Sequence, residues 1–114
     1  MIESSGLVAV TLDLAPALEE RVVDWLLSRE DVETFTSRGI QGHGSARHEL
    51  SIAEQVSGRQ RRVELRIELA AAVVDGWLAA LAETFGGGDV RYSVVPIIRS
   101  GRLHELRPPT PSSG

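Results

Sequence analysis

The chain has 114 residues, a net charge of −4 and no cysteine. That is one domain's length, enough to bury a single core, and it excludes a disulfide framework and thiolate chemistry. The apolar fraction of 42% and charged fraction of 25% are ordinary for a soluble globular protein, and the acidic balance argues against a general nucleic-acid binder. No apolar run is long enough for direct membrane insertion. The first residues carry Glu3 and no basic stretch, which does not read as a signal peptide, so a cytoplasmic protein is expected.

Residues 7–14 read as a strand, with Val8, Val10, Leu12 and Leu14 on one face and Thr11 and Asp13 on the other. Pro16 suits the first position of a helix, Glu19 and Glu20 follow in its positive first turn, and Leu18, Val22, Trp25 and Leu26 form its apolar stripe as far as about Ser28. Residues 32–36 form a short second strand, on the extended preference of Thr34, Phe35 and Thr36. Periodicity then stops over residues 37–60, where Gly39, Gly42, Gly44 and Gly58 lie among polar residues. It resumes most clearly at Val63, Leu65, Ile67 and Leu69, which alternate with Arg62, Glu64, Arg66 and Glu68. A second helix covers about 71–85, with Val74, Trp77, Leu78, Leu81 and Phe85 on one side; both tryptophans are expected in the core. Gly86, Gly87 and Gly88 stop this helix, one of them in a left-handed cap. Residues 90–98 are a fourth strand, and residues 107–114 are rich in proline and serine.

The order β-α-β-β-α-β predicts an α+β, ferredoxin-like domain over residues 1–103: a four-stranded antiparallel sheet with two helices on one face. Residues 104–114 are expected to be a disordered tail. Hairpin loops usually need about 2–5 residues, so the long loop between strands two and three is either functional or a plain insertion. It holds Ser51-Ile52-Ala53-Glu54, a match to a helix-start capping box, and the apolar residues Leu50, Ile52 and Val56. With few apolar residues to offset backbone ordering, the segment from about Arg38 to Arg59 is expected to be mobile without a ligand.

Several residues carry candidate chemistry. In this loop and the strand entrance after it, Arg38, Arg47, Arg59, Arg61 and Arg62 outnumber Glu49 and Glu54, a basic segment on an acidic body. Such a segment suits local anion recognition or an acidic partner. Arg59, Arg61 and Arg62 can clamp phosphate or carboxylate through forked bonds, or they can be a solvated strand entrance with Arg62 pairing across the sheet. Gly86, Gly87 and Gly88 can cradle an anion with their backbone N–H groups while Arg91 supplies charge, or they can simply end the helix. His43 and His48, with Glu49 beside them and His104 in the tail, are either metal ligands or exposed loop histidines. There is no nucleophile–base constellation, no paired-carboxylate motif and no phosphate-loop signature, so no enzyme is expected.

The stretches Gln60-Arg61-Arg62-Val63-Glu64-Leu65-Arg66-Ile67-Glu68 and Gly86-Gly87-Gly88-Asp89-Val90-Arg91-Tyr92-Ser93-Val94-Val95-Pro96 resemble the basic third strand and the glycine-rich turn of the nitrogen-regulatory PII family. From Thr36 through Gly58-Arg59-Gln60-Arg61-Arg62, the chain more closely resembles a PII-related bacterial family of unknown function, often encoded beside heavy-metal efflux pumps. The resemblance implies a homotrimer with clefts between subunits that hold an adenine nucleotide such as ATP, ADP or AMP. It also implies a partner-facing loop, carrying Arg38, Gly42, Arg47 and Glu54, and a membrane transporter or efflux pump as a partner. The loop has no tyrosine of the kind that PII proteins modify, since the single tyrosine is Tyr92. Two other readings remain: a divalent-metal-binding accessory protein for an efflux system, and an amino-acid-binding or oligomerisation module on the same fold.

Overall fold

The computed structural model describes residues 5–43 and 60–106. Strand β1 (Leu7–Leu14) is followed by a 3-10 turn (Pro16–Leu18) and helix α1 (Glu19–Leu27). Strands β2 (Val32–Gly42) and β3 (Gln60–Ala70) come next, then a 3-10 turn (Ala71–Val73) and helix α2 (Val74–Phe85). Strand β4 (Val90–Ile97) and a last 3-10 turn (Leu103–Glu105) end the described chain. All strand pairings are antiparallel, in the order β2-β3-β1-β4.

Strand alternation explains the core. Val8, Val10, Leu12 and Leu14 stand opposite Leu69, Ile67, Leu65 and Val63, and all eight are buried. Val22 and Leu26 from α1, and Trp77 and Leu81 from α2, pack onto this face at one-turn spacing. Fully burying a side chain such as Leu12 or Ile67 contributes about 1.5–3 kcal/mol, so the two central strands supply much of the stability. Trp25 meets Trp77 edge-on at 5.6 Å and Phe85 at 6.3 Å, which joins the two helices above the sheet. Arg29 sits 5.0 Å over the Trp25 ring and binds Asp31 at 2.7 Å, fixing the passage from α1 into β2.

The structure corrects three expectations. β2 runs on through Gly42, because residues 37–42 pair in register with β3 from Leu65 back to Gln60. An edge strand with mostly exposed side chains shows no apolar alternation, and its ladder is supplied by its neighbour; residues 38–42 therefore belong to the sheet. Residues 44–59, with Arg47, His48, Leu50, Ile52, Glu54, Val56 and Arg59, lie outside the described residues, as do residues 107–114. β4 stops at Ile97. The helix-ending glycines take no left-handed cap: Gly86 has φ −64°, and among the described residues positive φ occurs only at Gly6. Close approach explains two of these glycines. A Cβ on Gly86 would collide with the Ala82 carbonyl, and one on Gly88 would stand 3.0 Å from a Leu18 methyl. On the sheet face away from the helices, Ala9 is only 2% exposed, flanked by Glu68 and Val95 of its own sheet.

Candidate functional site

The end of β1, the start of β3, the end of β2 and the start of β4 meet at one end of the sheet, and the glycine turn closes that corner. Arg62 occupies its centre. Its alternation places it on the open sheet face, yet it is 5% exposed. Its Nε donates to Asp13 Oδ1 at 2.6 Å, and its Nη1 donates to Asp89 Oδ2 at 2.7 Å. Nη2 donates to the backbone carbonyls of Asp13 at 3.1 Å and Asp89 at 3.4 Å. Burial acts to lower the Arg62 pKa, but the bonds to Asp13 and Asp89 outweigh it, and the pKa is raised. Arg62 stays charged, and its fork is occupied within the subunit.

The other candidate residues divide by face. Successive strand residues point to opposite sides, so Arg61, opposite Gln41, lies on the helix side while Arg62 lies on the open side. Arg91, opposite Asp13, is exposed on the open side. Arg38 also lies there and binds Glu64 at 2.9 Å. Gly42 closes the last β2–β3 pair, opposite Gln60, and a Cβ there would stand 3.2 Å from Arg62 Cγ. The structure thus brings Arg62, Gly42, Arg91 and the turn of Gly86, Gly87 and Gly88 to one corner. It separates Arg61 from Arg91 by the thickness of the sheet.

Asp13 and Asp89 complete this corner, and neither was singled out as a site residue in the sequence. The available signal was a lone acid on the polar face of β1, within diagonal reach of Arg62. Also unforeseen is an apolar recess of about 330 Å³ between α2 and β4, lined by Leu78, Leu81, Phe85, Val90 and Tyr92 and bordered by Gly86 and Gly88. That volume is at the lower end of small-molecule pockets, about 300–1,000 Å³. His43 is exposed at the end of β2 and His104 lies in the last 3-10 turn; among the described residues no group of three or more side chains is placed to hold a metal ion. No helix among the described residues is long and apolar enough to cross a membrane.

Four antiparallel strands in this order under two helices, with a long excursion between β2 and β3, define a PII-like ferredoxin fold. A family model described as "Protein of unknown function (DUF3240)" matches residues 4–104, and the chain belongs to that family. Its structure is similar to a DUF3240 family protein from Shewanella baltica OS155, with a TM-score of 0.70 and 22% identity over 87% of this chain and 98% of that one. It is also similar to CPII, a nitrogen regulatory PII-like protein from Thiomonas intermedia K12 bound to ADP, AMP and bicarbonate (TM-score 0.61, 23% identity, 84% of this chain and 93% of that one). A third likeness is to the Bacillus subtilis GlnK–ATP complex (TM-score 0.60, 19% identity, 89% and 90%). No curated protein matches the sequence.

Proposed function

We propose that this chain is a PII-like regulatory module that binds a small anionic ligand, an adenine nucleotide first among the candidates, between subunits of a homotrimer. The observation that carries this reading is the division of the arginines. Arg61 and Arg91 face opposite sides of one sheet, so a small anion contacts both kinds of site only where a neighbouring copy brings its own strand entrance to this subunit's glycine turn. In such a cleft the turn of Gly86, Gly87 and Gly88 offers backbone N–H groups, and the guanidinium groups of Arg61, Arg91 and Arg59 offer charge. The apolar recess beside the turn suits a heterocyclic base. The loop between Gly42 and Gln60 would face the regulated partner, on the resemblance a membrane transporter.

Nucleotide-bound proteins of the same fold support this ligand class. Of the candidate ligands in the metal-accessory reading, His43 and His104 fall among the described residues and His48 and Glu49 outside them. Assembly is supported by exposed apolar side chains at the far end of the sheet: Val95 on the open face, then Ile98, Leu103 at 84% exposure, and Leu106. Sedimentation at micromolar concentration is expected to give a stable trimer; a stable monomer would contradict the interface. Titration with ATP, ADP and AMP tests the ligand.

A further inference from the structure

We propose that Arg62 is a positioning residue that ties the glycine turn to the sheet end carrying the loop base, its forked head gripping Asp89 and Asp13 and its aliphatic stem backing Gly42. Its consequence for ligand affinity rests on the reading above; the positioning itself does not. β3 and β4 are not neighbours, being separated by β1, that is by two strand spacings of about 5 Å each. Arg62 spans that gap. It binds both the carboxylate and the backbone carbonyl of Asp89, the residue immediately after the three glycines. The turn's own backbone fastenings are few: Gly86 N–H to Ala82 O, Gly88 N–H to Phe85 O at 3.0 Å, and Val90 N–H to Gly88 O at 3.1 Å. A glycine-rich segment has high backbone freedom, so a charged tether on its last residue sets where its N–H groups point before any ligand arrives. At the other end, Gly42 has no room for a side chain unless the Arg62 stem moves. The head and the stem of one side chain therefore hold two segments that lie far apart in sequence.

Amide hydrogen exchange on the ligand-free full-length chain tests this directly. Asp89→Asn removes the charge but keeps a side-chain oxygen that can accept from the buried Arg62 Nη1, and Asp13 still pairs the guanidinium, so the variant is expected to fold. It should speed exchange at Gly88 and Val90 about tenfold or more, with Leu65 and Ile67 unchanged. Arg62→Lys keeps an aliphatic stem but loses the fork; it should loosen the turn while the protected amides of residues 40–42 keep their rates. Arg62→Ala should loosen both ends. With ATP as the probe, Asp89→Asn should weaken binding about tenfold. Unchanged exchange at Gly88 and Val90, or equal acceleration across the whole sheet, overturns the proposal. Absence of ATP binding by the unaltered chain counts against the nucleotide reading and leaves the exchange result to decide the positioning role.

Discussion

Replacing Trp77 with alanine is expected to lower the unfolding free energy by about 3–5 kcal/mol, the range for large-to-small changes at buried aromatic positions. Trp77 is 1% exposed and belongs to the same buried cluster as Val10, Leu12, Leu65 and Ile67, with its ring edge-on to Trp25. Alanine removes one of the two ring contacts between α1 and α2 and leaves a cavity that a close-packed core fills only in part. Natural domains of this size have about 5–15 kcal/mol in total, so the variant is expected near the edge of folding. One feature reduces the loss: Trp77 Nε1 is buried and has no hydrogen-bond partner among the described residues. An unpaired buried donor costs about 1–3 kcal/mol. Trp77→Phe removes that donor while keeping a ring, and should therefore cost well under the alanine variant. Urea denaturation at a fixed protein concentration measures both. A loss for Trp77→Phe as large as that for Trp77→Ala would show that a smaller ring recovers none of the packing at this site.

The second large effect falls on ligand binding. The double variant Arg61→Ala with Arg91→Ala is expected to weaken nucleotide binding by roughly two to four orders of magnitude, since a hydrogen bond to a charged group contributes about 1.5–3 kcal/mol and two are removed. Both side chains are exposed, so the fold should survive. Each single variant should show a partial loss. Lost binding with an intact trimer supports a cleft built from two subunits. Unchanged binding removes these arginines from it, and loss of the trimer would assign them to assembly.

The central strands were legible because each has one buried face. Val63, Leu65, Ile67 and Leu69 alternate so cleanly that the buried face and approximate ends follow from period two alone. The far half of β2 was hidden because an edge strand's exposed side chains carry no apolar signal, and Gly39 and Gly42 read as loop residues although they pair with Val63 and Gln60. The glycine turn was legible as a helix stop but not in its conformation, since crowding by the Ala82 carbonyl and Leu18, not a left-handed backbone, is what asks for glycine there. Among the site residues, the neighbours Arg61 and Arg62 read as one cluster, although alternation alone sends them to opposite faces. That Arg62 would be enclosed depended on Asp89, which becomes its neighbour only when β4 docks beside β1.

Calorimetric titration of the unaltered full-length chain with ATP, ADP and AMP, followed by Zn²⁺ and Ni²⁺, tests most directly whether this is a nucleotide-responsive module. Saturable binding of at least one of the three nucleotides, with a stoichiometry approaching one per subunit of a trimer, is the expected result. Silence with all three nucleotides, with saturable metal binding in their place, would contradict it.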